Sequence, residues 1–571
     1  MNRFTWIVGA AMMLLLIAAP STALARATIH VDDDAPDDPG PGDPSISDPL
    51  EDGSAAHPFD AIQEAIDAAV NGDTVLAADG LYRGEGNRDI DFLGKAITVC
   101  SMNGAGDCVI DCEGFLLAPH RGFIFVSGEG PGSVLRGVTV INAAGHACGG
   151  AVFIEEASPV LEALIITGNS ASAGGGIYGN GGSPIILSCE ILLNEADGLL
   201  ANEYGCYDQG GGGGVSICTT GSVTIDGCRI EANVAAYCGG GIYVEHHDLA
   251  TITDTVIAGN EVMNGWGGGG KTFSFANLQM NNVMVRDNIA PGGGGLQMNF
   301  IYDSSALLAS CTIAGNVATD WYGGGIARSD FTPLHISNSI IYGNVPDQLD
   351  GLYIHVTHSD VEGGAPSSGP GNIDADPLFV SGPDGDYYLS QVDAGQEADS
   401  PCVDAGPDLA ASSCWQTPGG SVCLGSLTTR TDGINDQGVA DMGYHYPALD
   451  PMSAWLSCEP SSGTLPFSTT IALGLVNNLD GDYRQVAGHL DVVLGNGTAF
   501  PNWRAGHLVL APGESHAISW NQLIPEILPA YGDNRFTLVA ADVTPAPWNQ
   551  PPYPPSGSTD WAQCTVTGEY R

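Results

Sequence analysis

Apolar, strand-like runs that end in asparagine recur through the middle of this chain. They end at Asn142, Asn169, Asn194, Asn233, Asn260, Asn288, Asn316 and Asn344, in steps of 27, 25, 39, 27, 28, 28 and 28 residues. Three positions before the asparagine stands Ile166, Ile191, Ile230, Ile257, Ile313 or Ile341, with Val285 and Thr139 in the other two. A variable loop follows, then a glycine run ending at Gly150, Gly176, Gly214, Gly241, Gly270, Gly295 or Gly325, then a second strand. So regular a period predicts a solenoid whose coils are buried only by their neighbours. It carries no helical spacing and exceeds a hexapeptide repeat, so a coil of two to three short parallel strands is expected. Equivalent residues then stack about 4.8 Å apart. Inward asparagines form an amide ladder that satisfies buried polar groups, and glycine serves where backbones crowd or φ is positive. The 39-residue step holds an insertion, roughly Glu195 to Gln209, expected to protrude as a loop.

The flanks follow other patterns. Thr28 to Val31 reads as a first strand, and the acidic, proline-rich stretch Asp32 to Asp52 as a loop. Phe59, Ile62, Ile66, Ala69 and Val70 share one face of a helix over Phe59 to Val70, ended by Asn71-Gly72-Asp73. Such a helix suits a cap over the exposed first coil. Thr74 to Ala77, Ala96 to Cys100 and Phe123 to Val126 are strands of irregular early coils. From Asp450 the glycine runs vanish. Strands at Thr469 to Leu475, His489 to Leu494, His507 to Leu510, His516 to Trp520, Phe536 to Ala540 and Ala562 to Val566, with a proline-rich loop over Pro545 to Pro555, suggest an immunoglobulin-like β-sandwich. The chain divides into 1–25, a signal peptide; 26–137, first strand, acidic loop, cap and early coils; 138–380, the repeats; 381–449, a closing segment; and 450–571, the sandwich.

Composition narrows the class. Arg3, the apolar run Trp6 to Ala19 and Ala23-Leu24-Ala25 read as a secretory signal, so an extracellular or cell-surface location is expected, with no transmembrane segment after cleavage. Sixty-six acids against 16 bases give a net charge of −50, which excludes nucleic acid and anionic lipid as partners. The acids read either as a solvated coat or as oxygen ligands for Ca²⁺. Fifteen cysteines in an exported chain invite disulfides, and the odd count leaves at least one unpaired or intermolecular. Cys189, Cys228 and Cys311 each lie five residues before a repeat asparagine, so they share one stacked position as buried small hydrophobes. Cys206, Cys218 and Cys238 surround the long coil, Cys402, Cys414 and Cys423 lie in a loop-rich segment, and Cys458 and Cys564 bracket the last domain, where they could staple its first and last strands.

The Ile-x-x-Asn and Gly-Gly-Gly-Ile units resemble the right-handed parallel β-helix superfamily of pectate-lyase-like proteins. They are similar to the Phe-x-x-Asn and Gly-Gly-Ala-(Ile/Leu/Val) repeats of polymorphic outer-membrane proteins, with Ile here in place of Phe and no C-terminal transporter barrel. The resemblance covers about Phe59 to Tyr446. His57 to Gln63 and Asn71 to Val75 look like its N-terminal cap. Asp374 to Phe379, Ser400 to Gly406 and Asp441 to Tyr444 look like the closing segment of secreted bacterial members. It implies an all-β protein, a right-handed parallel β-helix solenoid with a helical cap, followed here by the sandwich. It leaves activity open, because lyases, hydrolases, epimerases, adhesins and inert scaffolds share the fold.

Several residues are candidates for chemistry. The Asn-Thr-Asp, Asp-Asp, Gly-His-Gly and Arg-Ile-Lys motifs of the hydrolases are absent from the repeats. Glu190 and Arg229 both lie four residues before their asparagine and are expected to stack on adjacent coils, flanked by Asp226 and Glu231. That group is either the raw material of a Ca²⁺-assisted lyase or a cross-strand ion pair. Glu245 and Asp248, around His246-His247, are a metal or acid/base candidate, while Asp432, Asn435 and Asp436 in an Asp-Gly-Ile-Asn-Asp segment read either as a Ca²⁺ loop or as plain turn chemistry. Tyr204, Tyr207, Tyr237, Trp266, Trp321 and Tyr322 precede the glycine runs and are expected to line one edge of the solenoid, as a ligand surface or as cover for coil edges. The function expected is an adhesin-like binding scaffold for polysaccharides or other surface molecules, requiring no cofactor; the alternative is a polysaccharide lyase or related carbohydrate-active enzyme, with Ca²⁺.

Overall fold

The apolar run before each repeat asparagine builds one wall of a parallel solenoid. The computed structural model describes residues 26–35, 42–46, 48–199, 211–218, 221–245, 249–273, 277–299, 305–328, 333–367 and 369–448, and the backbone of strands between 452 and 569. Its short parallel strands form a 21-stranded sheet, a ten-stranded sheet and a seven-stranded edge sheet. In one coil, Ile177–Asn180 lies in the ten-stranded sheet, Ile185–Leu187 and Glu190–Leu192 in the large sheet, and Glu195–Ala196 in the edge sheet. The coil thus has four segments, more than the two or three expected, because a bend splits its crossing of the large sheet.

Two columns of left-handed residues make the bends. Ala163, Ser188, Gly227, Asp254, Asn282, Ser310, Asn338 and His358 mark the first, with φ between 45° and 63°. Asn142, Gly168, Leu193, Ala232, Gly259, Asp287, Gly315 and Gly343 mark the second, with φ between 53° and 69°. Asn142 therefore sits one place before the position expected of it. Its side chain donates to Asp111, and Ala143 takes the inward place, its N–H donating to Asn169 Oδ1 at 2.9 Å. Accordingly Val140, not Thr139, pairs with Ile166. Asparagine tolerates the left-handed region, so an isolated Asn fits the bend as well as the ladder.

From Asn169 onward the amide ladder is continuous. Asn169, Asn194, Asn233, Asn260, Asn288 and Asn316 each donate Nδ2–H to the Oδ1 of the next at 2.9–3.0 Å. The second Nδ2–H goes to a carbonyl of the preceding coil, such as Ile191 for Asn233, and from Asn194 onward each Oδ1 also accepts the backbone N–H of the asparagine before it. The buried amides are fully satisfied. Asn344 ends the row on Gln348 Oε1 at 2.6 Å. Ile166, Ile191, Ile230, Ile257, Val285, Ile313 and Ile341 fill the core beside it.

The cysteine column is polar as well as apolar. Cys189, Cys228 and Cys311 are buried, and Cys189 and Cys228 occupy successive coils. Thr255, Ser339 and Ser359 continue the column: Cys189 N–H reaches Cys228 Sγ, Cys228 N–H reaches Thr255 Oγ1, Cys311 N–H reaches Ser339 Oγ and Ser339 N–H reaches Ser359 Oγ. These thiols thus exchange with hydroxyls as acceptors for the bend, beyond the small-hydrophobe role expected.

At the N-terminus the helix is Ile62–Ala68, shorter than expected, and buries Ile62, Ala65 and Ile66 against the core, while Val70 is exposed. It has no capping side chain of its own; Asn87 Oδ1, from a neighbouring coil, accepts the Ile62 N–H at 2.9 Å. At the other end, residues 379–447 lie along the flank of the solenoid, against the first bend. Trp415 Nε1 donates to Asp254, Asn282 clasps the backbone of His445, Tyr444 N–H donates to Thr312 Oγ1, and Asn338 donates to the Asp441 carbonyl. Tyr388, Tyr444 and Tyr446 cover Met284 and Val256, which point outward from the large sheet. Cys414 and Cys423 form a disulfide, Cys148 is disulfide-bonded, and Cys402 is a free thiol bonded to Asp360. Beyond 450, all six expected strands coincide with strands, which pair mostly antiparallel in a three-stranded and a five-stranded sheet. The side chains of Cys458 and Cys564 lie outside the described residues.

Candidate functional site: an aromatic edge

The edge sheet alternates as a half-buried strand must. Its inward column is Ala196, Ala235, Val262 and Ala290. Its outward register row runs Glu195, Val234, Glu261, Ile289, Val317 and Val345. The small inward residues bring this wall close to the core. After each strand the chain turns a corner into the glycine run, and the corner carries the aromatic residues.

One corner column contains Gly211, Cys238, Trp266, Gly292 and Tyr322, bridged in register down to Gly292 and linked to Tyr322 through the Gly293 N–H. Trp321 precedes Tyr322. The indoles of Trp266 and Trp321 stack at 4.4 Å between centroids and 21° between planes. Strands on successive coils are about 4.8 Å apart, so two residues on coils two apart meet only if nothing lies between them. Gly292 lies between. A Cβ there would stand 2.4 Å from the Trp266 ring and 2.9 Å from Trp321. Its φ is not left-handed, so glycine is required here for space. Tyr237, Met263, Ile289, Trp321, Tyr322 and Val345 are exposed along the same edge. Tyr204 and Tyr207 lie outside the described residues, as does most of the insertion; its first residues, Glu195–Ala196, pair within the edge sheet instead of protruding.

The charged candidates are placed differently. Glu190 and Arg229 are in register as expected, but Arg229 pairs with Glu231, two residues along its own strand, at 2.9 Å. Arg286 binds Asp287 at 2.9 Å and approaches Glu231 at 3.7 Å. Asp226 accepts from Thr253 at 2.5 Å, and burial raises its carboxyl above the ordinary range. Arg328 is buried, and the Lys271 side chain is outside the described residues. Glu245 is buried and accepts from Tyr243 at 2.9 Å; Asp248 is outside the described residues.

The closing segment contains a hollow of about 440 Å³ lined by Asp393, Asp399, Asp404, Arg430, Asp436 and Asp441 among others. Asp432 is held by Arg430 at 2.7 and 2.9 Å, and Asn435 donates to Gly425. Asp436 binds His445 Nε2 at 2.9 Å while His445 Nδ1 meets the Gly443 carbonyl at 3.0 Å. Asp432 and Asp436 are thus committed to side-chain partners and do not converge. Among the described residues, the acidic group whose ligand atoms lie within 4.8 Å of one another is Asp32, Asp33 and Asp34, which the sequence pattern marks only as loop.

The three-sheet parallel coil and its asparagine ladder decide the fold. It is a right-handed parallel β-helix. The family model of the right-handed β-helix region matches residues 213–363. Among solved structures, pectate lyase Pel9A is similar at 16% identity over 69% of this chain and 94% of its own, with a TM-score of 0.43. The xylose complex of XylC is similar at 9% identity over 74% of this chain and 98% of its own, with a TM-score of 0.33. No curated protein matches the chain. Among the described residues, no helix of the β-helix is long and apolar enough to cross a membrane.

Proposed function

We propose that this β-helix is an exported scaffold that binds glycans along its aromatic edge, with the C-terminal antiparallel strands as an immunoglobulin-like accessory module. The observation that carries the reading is the face-to-face Trp266–Trp321 pair, in which Trp321 is exposed and Trp266 half-buried, extended by the exposed Tyr237 and Tyr322. Aromatic rings held at a surface present an apolar face and, in tyrosine, a hydroxyl; that combination fits the C–H face and hydroxyls of a sugar ring. Exposed apolar rings clustered on a solenoid otherwise coated with acids favour a binding role. The repeat itself serves stacking, so binding falls to what interrupts it. The platform requires no metal.

What favours this over a polysaccharide lyase is the state of the bases. Arg229 and Arg286 are neutralised by Glu231 and Asp287, and Arg328 is buried. A glycan array probed with the full-length protein tests the reading. Binding to at least one glycan, lost in Trp321→Ala, is the expected result. An array with no signal overturns it, as does a rise in unsaturated-uronate absorbance on an acidic polysaccharide that chelator abolishes.

A further inference from the structure

We infer that the edge selects neutral glycans and rejects acidic ones, an inference that rests on the glycan-binding reading above. Beyond the first edge strand, His146–Cys148, the edge and its corner are formed by the arcs between each ladder asparagine and its glycine run, whose described residues include 169–176, 194–199, 233–241, 260–270, 288–296, 316–325 and 344–349. They contain no lysine, arginine or histidine, but five acids, Glu195, Asp197, Glu261, Asp320 and Asp347. Glu195, Glu261 and Asp320 are exposed, and Asp320 is next to Trp321. Asp347 accepts from the Gly323 N–H at 2.7 Å, one residue beyond Tyr322.

A carboxylate or sulfate on a sugar seated over the indoles would therefore meet acids on the same wall, within a screening length of about 10 Å at 0.1 M salt. Arg229 and Arg286, on the large sheet, are already paired. The net charge of −50 adds a long-range repulsion of the same sign. A neutral chain feels none of this, and it gains from the one feature the edge supplies in quantity, continuous apolar ring surface. Gly292 is part of the device: by leaving its coil bare it lets two rings on alternate coils merge into one strip.

Affinity electrophoresis of the full-length protein tests this. Gels carry a neutral β-glucan, xylan or mannan, or alternatively polygalacturonate or alginate with and without Ca²⁺. Trp266→Ala, Trp321→Ala and Gly292→Ala run beside the wild type, each checked for an unchanged thermal midpoint. The expected result is retardation by a neutral polysaccharide, insensitive to salt and weakened about tenfold in the tryptophan variants, as loss of ring stacking predicts. Gly292→Ala, which keeps both indoles but separates them, is expected to weaken it too. Retardation as strong or stronger on acidic polysaccharides, and lost with Trp321, overturns the selectivity but leaves glycan binding standing. Retardation on a neutral polysaccharide unchanged in all three variants places binding elsewhere and overturns the inference. No retardation on any polysaccharide overturns both readings.

Discussion

The indoles of Trp266 and Trp321 stack across Gly292, a residue that contributes only its lack of a side chain. Gly292→Ala is expected to push the rings apart and leave the coil intact, because the obstructed atoms belong to side chains at the surface. Stacked indoles couple electronically, so near-ultraviolet circular dichroism reads the change directly. The wild-type couplet is expected to vanish both in Gly292→Ala and in Trp266→Ala. An unchanged spectrum would show that the stack does not depend on this glycine.

Asn233 lies in the middle of the amide ladder. Asn233→Ala strands the Nδ2–H and backbone N–H of Asn194 and the carbonyl of Ile191, all buried. Leaving such groups unsatisfied costs about 1–3 kcal/mol each at most, so a loss of roughly 3 kcal/mol is expected in denaturant unfolding. A loss below about 1 kcal/mol would mean that water replaces the ladder.

Leu193 occupies a left-handed bend at φ 56° and is exposed, where Gly168, Gly259, Gly315 and Gly343 stand on other coils. Leu193→Gly removes a strain of about 1 kcal/mol with little packing to lose. A gain of roughly 0.5–1 kcal/mol is expected in the same unfolding experiment; destabilisation would contradict the bend argument.

His445 ties the closing segment down. Its backbone N–H donates to Asn282 Oδ1 at 2.6 Å, its carbonyl accepts from Asn282 Nδ2 at 2.8 Å, and its Nε2 meets Asp436 at 2.9 Å. His445→Ala keeps the backbone clasp on Asn282 but takes the imidazole from the buried Asp436, leaving it the Asp441 N–H; removing one partner of a buried pair costs about 3–5 kcal/mol. Limited proteolysis is expected to cut within 379–447 well before the repeats; protection equal to wild type would refute the latch.

Asp254 joins the same flank to Trp415, and burial raises its carboxyl to about 6 from 3.8. The folded value lies above the unfolded one, so its contribution to stability is fully present below about pH 4 and is lost as pH rises through about 6. The effect expected is about 1–2 kcal/mol, reduced for partial exposure to solvent. Thermal melts from pH 4 to 7 are expected to show this slope in the wild type and a flatter one in Asp254→Asn; parallel slopes would rule it out.

The outward row of the large sheet shows how much of the site was legible. It reads Glu190, Arg229, Val256, Met284, Thr312, Ile340 down successive coils. The change from charged to apolar marks where the closing segment covers the flank, and that signal was present in the sequence. The pairing of Arg229 with Glu231 in place of Glu190 was not, because register places both acids near it and only rotamers choose. The aromatic positions before the glycine runs were legible as an edge; their fusion across Gly292 was not.

The sequence by itself determined the coil period, the inward isoleucine and asparagine columns and the glycine corners, since each depends on residues that repeat against copies of themselves. Tertiary structure alone decided three things: that Ala143, and not Asn142, takes the inward place above the ladder; that Trp266 reaches Trp321; and that Asn282 finds His445, 163 residues away. Stacking energy is set by neighbours one period apart and so leaves a periodic trace. Contacts between unlike segments depend on which side chains the bends aim at each other, and a one-residue shift at a bend changes them all.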